Sequence, residues 1–497
     1  MGKFLSIFAS ASFLGLMLVP LEAKSEESMF QLDREKRQFQ ELIHWKQPLS
    51  PNKLSLVEAM TMAEIIPKVN SYAYAIDSSL ADLNSSRAEW WPTLSLDLSN
   101  TYTKGTKWYK QPSLCDGESD CDTTFDQKKK YSYPTLSLNL DWTFIDFTIT
   151  PSIKSSFFLL KESQESYDYS LKEAQQSAAA DYINLQYAIA KYQSYKILAA
   201  NALDLYVKSV LLYETSIASR YDSLKQKSTL LSYIASVTDA IRSIHSYQED
   251  LKYSIGYEGD AGRLIPNETL DQLMNWNLDK EKTLELSIAN SNQLMSQRYL
   301  QESYIYKAKE YANEYLPTLG ISLTGEVENI KGYPSYSQSY QLNYRSWTKD
   351  FTGMITIEWN LFDGGSNWQT SKSYKAKAEQ ENEVFKDFYD QLISDTMTSF
   401  LNVNDLNTEI MVNVLTVKNG VQLLKMDKAA LLYGVGDVTT ITQDQSNIVS
   451  ETQTLLNNLS AYNKSIIDLV IKTGISIGSI KYGSKINPIS ILEQLNF

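Results

Sequence analysis

The sequence predicts an α+β chain in which strand hairpins alternate with long antiparallel helical hairpins. Two observations carry this prediction: strand-like and helix-like segments recur twice in the same order, and the helical stretches are far longer than those of an ordinary globular domain. Composition agrees, because only 19 glycines and 12 prolines occur in 497 residues, as is typical of long regular elements.

The N-terminus predicts export. Lys3 precedes a largely apolar stretch that ends at Leu21, and Ala23 offers a small residue for cleavage. A membrane anchor is the alternative, but the stretch is shorter than the roughly 20 residues that a spanning helix needs. The predicted segments are a signal peptide at 1–23, a polar N-terminal arm at 24–53, a first structural repeat at 54–262, a second repeat at 263–480 and a C-terminal tail at 481–497.

Two pairs of similar segments define the repeats. The segment Trp-Pro-Thr-Leu-Ser-Leu, which contains Pro92, is echoed by Leu-Pro-Thr-Leu-Gly-Ile, which contains Pro317. Further along, Leu-Asp-Trp-Thr-Phe-Ile-Asp ends at Asp146 and is echoed by Ile-Glu-Trp-Asn-Leu-Phe-Asp, which ends at Asp363. The spacing between the echoes differs by only a few residues, so the sequence predicts an internal duplication.

Each echoed segment alternates between apolar and polar residues. Leu94, Leu96 and Leu98, for example, interleave with serine and aspartate, and this period of two places the two sets on opposite faces of a strand. A water-soluble sheet with one wet face is the alternative. The predicted signal peptide and runs of about 10 residues favour strands of an outer-membrane barrel. Four strands are too few, because the smallest barrels need about 8, so other subunits must complete the sheet. The connections at 102–133 and 326–350 are predicted to be external loops.

A helical period follows the last strand of each repeat. In the second repeat Gly364 and Gly365 let the chain bend and Ser366 can cap the new helix. From there to Tyr433 the sequence has no proline and one interior glycine, Gly420, so a helix of about 100 Å is predicted. Its apolar residues recur every three or four positions, which predicts a coiled-coil seam; a soluble coiled-coil rod is the alternative.

A glycine-containing turn at 433–437 predicts that the long helix ends there and that a second helix, over Val438–Thr473, returns antiparallel to it. The first repeat has a matching helix from Ser152 to about Arg220, but its turn, predicted at 220–224, lacks glycine. The segment 256–267 is predicted to be a linker between the repeats.

The remaining residues point away from catalysis. Cys115 and Cys121 lie in one short acidic segment and are predicted to form a disulfide in an oxidising compartment, with free thiols or a metal site as alternatives. The net charge of −13 argues against a nucleic-acid partner. His44 and His245 are the only histidines, and no nucleophile, phosphate-binding or metal motif accompanies them, so the sequence predicts neither an enzyme nor a bound cofactor.

Taken together, these segments resemble the TolC-like outer membrane efflux protein family over essentially the whole mature chain. The most specific stretches are the junctions at Pro92 and Pro317, the segment 359–365 and the turn Tyr433-x-x-Gly436. The resemblance implies a homotrimer in the outer membrane, whose lipid would surround one shared barrel of twelve strands continued by an α-helical tunnel in the periplasm. It implies an exit duct for tripartite efflux or type I secretion of small molecules or proteins, recruited by a periplasmic adaptor and an inner-membrane pump or ABC transporter. The alternative function is a periplasmic coiled-coil adaptor or a structural rod.

The resemblance also implies a gate at the periplasmic tip. The positions implied there are Tyr433, Gly434, Gly436, Asp437, Thr442, Asp444 and Gln445. Tyr433 matches a residue that holds the tip shut, but Val438 stands where its arginine partner would fall. Thr442 and Gln445 stand where the family has acidic residues that narrow the pore. Asp437 or Asp444 could rebuild an anionic ring from three copies, with helix capping or a solvated surface as the alternative.

Overall fold

The computed structural model of the chain describes residues 21–46, 48, 50–112, 122–215, 219–336, 344–433, 435–436, 438–483 and 488–494. These fall into two compact units. The first unit is formed by the described parts of Met1–Val69, Leu171–Asn290 and Leu392–Phe497, and the second by Asn70–Ser170 and Ser291–Gln391. Each unit therefore takes segments from both sequence repeats.

Helices and strands alternate as the repeat pattern predicts. The helices are α1 (Leu21–Leu42), α2 (Leu56–Met62), α3 (Pro67–Ala88), α4 (Ile149–Glu214), α5 (Arg220–Ser254), α6 (Lys280–Ala289), α7 (Asn292–Asn313), α8 (Ser366–Leu432), α9 (Val438–Thr473) and α10 (Pro488–Glu493). The strands are β1 (Asn52–Leu54), β2 (Thr93–Pro112), β3 (Asp122–Ile145), β4 (Leu264–Pro266), β5 (Thr318–Tyr336) and β6 (Tyr344–Glu358).

The second unit contains a four-stranded antiparallel sheet in the order β2-β3-β5-β6. The prediction of long external loops at 102–133 and 326–350 is wrong, because β2 continues to Pro112 and β5 to Tyr336. The reason is that both segments keep the aromatic residues and threonines that suit a pleated surface, as in the stacked pair Tyr131 and Tyr133. The pairing of β2 with β3 and of β5 with β6 also satisfies the backbone hydrogen bonds of these segments.

Serines allow the helices of the second unit to approach closely. The Ser155 and Ser303 hydroxyls on α4 and α7 lie 3.1 Å apart, and the Ser371 hydroxyl on α8 donates to the Ala308 carbonyl at 2.8 Å. A small side chain that bonds across the interface satisfies its own hydroxyl while keeping the helix axes close. The helices thus pack through short polar contacts beside the sheet.

Two helical hairpins, α4–α5 and α8–α9, run into the first unit. The coiled-coil seam is confirmed, since Ile410, Val417 and Leu424 are all buried. Gly420 belongs to this seam: a Cβ there would lie 3.0 Å from Cγ1 of Ile448 on α9. The missing side chain therefore lets α8 and α9 approach each other.

The turn of the first hairpin lies before Arg220, so its predicted place at 220–224 is wrong. The chain needs no glycine there because Ser219 and Asp222 form a capping box. The Asp222 amide donates to the Ser219 hydroxyl at 3.2 Å, and the Ser219 amide donates to the Asp222 carboxylate at 3.1 Å. This reciprocal pair starts α5 directly after the turn.

The segment 256–267 is not a simple linker, because it contains β4, which pairs in parallel with β1 from the N-terminal arm. Tyr182 on α4 joins this small sheet by donating to the Leu54 carbonyl at 3.0 Å. The C-terminal tail is also packed, since Ile491 and Leu492 are buried. Among the described residues, no helix combines the length and the apolar character needed to span a membrane.

Candidate functional site

One face of the four-stranded sheet is apolar and open to the surroundings. Leu96 pairs with Leu138, Leu140 with Leu323, and Ile321 with Ile355. Paired residues of antiparallel strands share a face, so these side chains form a continuous surface. Its exposed members include Leu94, Leu96, Leu98, Leu136, Leu138, Trp142, Phe351, Ile355 and Ile357.

The opposite face of the sheet is polar. Asn139 donates to the Asp97 carboxylate at 2.8 Å across β3 and β2, and Ser322 donates to the Asp141 carboxylate at 2.6 Å across β5 and β3. The sheet is therefore amphipathic across its width. Such an arrangement can separate an apolar medium on one side from water on the other.

Asp363 organises the junction between β6 and α8. Its carboxylate accepts the Gly365 amide at 2.8 Å, the Asn367 amide at 2.7 Å and the Tyr315 hydroxyl at 2.8 Å. The Asn367 amide bond, followed by the Tyr315 bond, lowers the pKa of this carboxyl. Gly364 and Gly365 have φ of 73° and 84°, which other residues resist. Asp363, rather than the predicted Ser366, thus caps α8.

The first junction repeats this chemistry at Asp146. Its carboxylate accepts the Thr148 amide at 2.8 Å and the Thr148 hydroxyl at 2.6 Å just before α4. Near each junction a tryptophan indole forms a hydrogen bond with the segment that follows the preceding helix. Trp142 donates to the Trp90 carbonyl at 3.0 Å, and Trp359 donates to the Tyr315 carbonyl at 2.9 Å. Pro92 and Pro317 immediately precede β2 and β5.

A group of carboxylates surrounds Asp146 that the sequence patterns did not reveal. Burial, then the charges of Glu310 and Asp146, raise the pKa of Glu89. Burial, then the charges of Asp146 and Glu310, likewise raise the pKa of Glu314. These acidic residues come from both repeats, so no local motif signals that they meet.

The turn of the second hairpin contains Tyr433 and Gly436 of the residues predicted for the gate, whereas Thr442, Asp444 and Gln445 lie on α9. The Val435 and Gly436 amides both donate to the Ala430 carbonyl at 3.1 Å, which ends α8. The Tyr433 side chain is 85% exposed. Gly434 and Asp437 lie outside the described residues, as do Cys115, Cys121 and nearly all of the predicted signal peptide.

Asp444 on α9 faces Asp427 on α8. Burial of Asp444, together with its hydrogen bond to Asp427 and the charge of that residue, raises its pKa to about 6. One oxygen of the Asp444 carboxyl is buried and has no hydrogen-bond partner among the described residues in this structure. Two carboxyl groups that face each other at partial burial favour sharing one proton. Sequence reasoning missed Asp427.

Thr442 and Gln445 are covered by neighbouring helices. The Gln226 amide on α5 donates to the Thr442 hydroxyl at 2.9 Å. Gln445 is fully buried, and neither polar atom of its amide has a partner within the described part of the chain. The hairpins therefore meet near their tips through a polar layer, which also contains the 2.8 Å bond from Lys428 to Asn201.

Solved structures share the fold of this chain. The outer membrane protein VceC of Vibrio cholerae matches with a TM-score of 0.69 over 84% of this chain and 96% of its own, at 14% identity. The chain therefore has a TolC-like fold. The Campylobacter jejuni CmeC outer membrane channel matches with a TM-score of 0.64 at 14% identity, over 91% of this chain and 93% of its own.

A third solved structure with a similar fold is the open state of the Neisseria gonorrhoeae MtrE outer membrane channel. It has a TM-score of 0.62 at 14% identity, over 87% of this chain and 97% of its own. Comparison of the sequence with protein-family models gives no match, and comparison with curated proteins gives none. The resemblance drawn from the sequence is confirmed at the level of the fold.

Proposed function

We propose that the chain is an outer-membrane exit duct in which three copies share one barrel of twelve strands and one helical tunnel. The observation that carries this proposal is the amphipathic four-stranded sheet, whose exposed apolar face is suited to lipid and whose polar face is suited to a water-filled lumen. The TolC-like fold supports the same reading, because its solved examples are outer membrane proteins and channels.

The edges of the sheet support assembly with other copies. Strands β2 and β6 each have a partner on one side only among the described residues. An unpaired edge inside lipid leaves backbone amides and carbonyls without hydrogen bonds, so the edges must be closed. The β2 edge of one copy and the β6 edge of the next would close them, and the family resemblance sets the number of copies at three.

The second hairpin offers a further surface for contact between copies. Its helix α8 buries one apolar seam against α9, yet it exposes a second apolar stripe on its opposite face. The exposed members are Leu401, Met411, Val412, Leu415, Leu423 and Met426. A stripe of this kind along a long helix is typical of packing against another helix, and a tunnel built from three copies would supply one.

The tunnel of such a duct would extend into the periplasm and receive cargo from a periplasmic adaptor and an inner-membrane pump or ABC transporter. These partners follow from the family resemblance. The alternative of a coiled-coil adaptor is less well supported, because an adaptor is expected to have one helical hairpin followed by β-rich domains. This chain has two long hairpins, α4–α5 and α8–α9, and each is preceded in sequence by two strands of the four-stranded sheet.

The proposal is tested in cells that lack this chain. We expect loss of the chain to cause retention of a fluorescent efflux dye, of secreted proteins, or of both, and we expect the wild-type chain to restore export. Retention of dye alone would assign the duct to efflux, and retention of protein alone would assign it to type I secretion. Unchanged export of both would refute the proposal.

A matched pair of variants sharpens this experiment. Leu96→Lys places a charge on the apolar face of β2, whereas Ser95→Lys places the same charge on the polar face. Export should fail with the first variant and persist with the second. Equal export by both variants would contradict the assignment of the apolar face to lipid.

A further inference from the structure

Charged side chains are sorted between the two faces of the four-stranded sheet. Every second residue of a strand points to the same face, and the pairing between strands carries that face across the sheet. At the strand positions whose side chains the structure describes, the polar face carries carboxylates and no cation: Asp97, Asp141, Glu326, Glu328, Asp350 and Glu358. At the same set of positions the apolar face carries cations and no carboxylate: Lys104, Lys130, Lys331, Arg345 and Lys349.

Four of these cations form a row across the end of the apolar face that is farthest from the helices. Lys104 on β2 lies directly opposite Lys130 on β3, and Lys331 on β5 lies directly opposite Arg345 on β6. The two pairs are neighbours, because Ser132, two residues from Lys130, lies opposite Lys331. All four side chains are exposed. We call these four residues the basic row.

The basic row begins where an apolar band of membrane thickness ends. Lys104 follows Leu94 on β2 by about 34 Å of strand. At the tilt of about 35–45° that is usual for barrel strands, this length spans roughly 25 Å, which is the height of the apolar band of an outer-membrane barrel. Tyr102 and Trp347 lie on the same face at the same end and are each 61% exposed. Aromatic residues at such a position are typical of the level of the lipid headgroups.

The basic row is unfavourable unless an anion contacts it. Like charges that lie directly opposite each other on neighbouring strands destabilise a sheet, and the row contains two such pairs. Within the described part of the chain, none of the four cations forms an ion pair with a carboxylate. The carboxylates of the sheet lie on the opposite face. An external anion that contacts both pairs would remove the repulsion.

The chemistry of the row identifies the anion. Arginine binds phosphate oxygens through two parallel hydrogen bonds, and lysine binds phosphate as a point charge. The two pairs lie two strand spacings apart, on the order of 10 Å, so a ligand with two phosphate groups can contact both. The apolar face continues beside the row, so the same ligand also needs acyl chains. A phospholipid with one phosphate group would contact only one pair.

We propose that the basic row binds a glycolipid of the outer leaflet that carries two phosphate groups and several acyl chains. Each phosphate lies between the two cations of one pair, and the acyl chains cover the adjoining apolar face. The placement of the row in the outer leaflet rests on the proposed function, in which the helices extend from the other end of the strands into the periplasm. The row thus recognises the lipid that surrounds the duct.

The test uses the protein in nonionic detergent and diphosphoryl lipid A as the probe. Native mass spectrometry counts the lipid molecules bound per chain during a titration. Lys331→Gln combined with Arg345→Gln removes one pair and should weaken binding at least fivefold. The matched control, Lys36→Gln with Arg37→Gln, removes the same two kinds of charge from exposed positions on α1 and should bind like the wild type. Equal affinity of the first variant and the control would overturn the proposal.

Two further ligands test the chemistry of recognition. Monophosphoryl lipid A keeps the acyl chains but has one phosphate group fewer, so it should bind the wild type at least threefold more weakly. An excess of inorganic phosphate should leave diphosphoryl lipid A bound, because free phosphate makes no contact with the apolar face. Equal binding of the two lipids, or displacement of the lipid by inorganic phosphate, would overturn the proposal.

A second variant keeps the test independent of folding. Lys104→Gln with Lys130→Gln removes the other pair, and it carries the comparison if the first variant does not fold. Both variants relieve repulsion, so without lipid A each should unfold at a temperature no lower than the wild type. Added diphosphoryl lipid A should raise the unfolding temperature of the wild type more than that of either variant, and an equal rise would contradict the proposal.

Pore formation by the same preparations is measured separately in planar bilayers. Protein that forms pores but binds diphosphoryl lipid A no better than the variants do would overturn the lipid proposal and leave the proposed function standing. Protein that forms no pores would overturn the proposed function, while the titrations in detergent would still decide whether the basic row binds the lipid.

Discussion

Replacing Asp444 by asparagine is expected to stabilise the tip of the second hairpin at neutral pH. In the native tip, burial and Asp427 raise the pKa of Asp444 to about 6, whereas an unfolded aspartate titrates near 3.9. Between these values the folded tip binds more protons than the unfolded tip. Its stability is therefore highest at acidic pH, falls as the pH rises from about 4 to about 6, and is constant above.

The size of the effect follows from the shift. Two pKa units correspond to about 3 kcal/mol, and because Asp444 is partly exposed, solvent screening reduces the measurable destabilisation to about 1 kcal/mol. The Lys428 amine, adjacent in sequence to Asp427, donates to Asn201 on α4, and burial lowers the pKa of that lysine. Asp444→Asn should relieve this cost above pH 6.

Hydrogen exchange measured by mass spectrometry on peptides that cover residues 425–450 tests this reasoning. After correction for intrinsic rates, the wild-type tip should exchange about fivefold faster at pH 7.5 than at pH 4.5, because 1 kcal/mol corresponds to roughly that factor. Asp444→Asn should show slow exchange at both pH values, and Asp405→Asn, on the exposed face of α8, should behave like the wild type. The same pH dependence in Asp444→Asn and the wild type would refute the reasoning.

Three other variants probe the sites described above. Gln445→Leu removes an amide that is buried without partners within the described chain, so the free energy of unfolding should rise by about 1 kcal/mol in denaturant titration; a loss of stability would show that the amide is bonded. Asp363→Ala removes the cap of α8 and should lower the melting temperature more than Asp363→Asn does, which circular dichroism would detect; equal melting of both would contradict the capping role. Leu96→Lys should cost about 2–4 kcal/mol of membrane insertion and leave less folded protein in the outer membrane than Ser95→Lys, as seen by heat-modifiable gel mobility; equal yields would contradict a lipid-facing Leu96.

Much of the fold could be predicted because the sequence signals are local and duplicated. Alternation in β2 and β3, the apolar period of α8 and the two Trp–Asp segments each reflect one element's own geometry. The strand ends could not be predicted, since a polar hairpin tip and an external loop have similar compositions. The turn before α5 was predicted at the wrong residues because a capping box, and not glycine as in the second hairpin, stabilises the start of this helix.

The candidate tip was only partly predictable. Tyr433 and Gly436 could be found because a glycine-containing break in a long helix is a local signal. Asp427 could not, because its partner lies on another helix and the contact depends on the register between the two helices. The sequence of a single helix does not show such a contact, which depends on how the helices pack.

The proposed function requires that three copies of this chain form one pore in the outer membrane. The most direct measurement is the mass of the detergent-extracted particle combined with single-channel conductance of the same preparation in a planar bilayer. We expect three chains per particle and discrete conductance steps, and we expect both to be lost when Leu96→Lys prevents assembly. A monomer that remains soluble without detergent and opens no pore would contradict it.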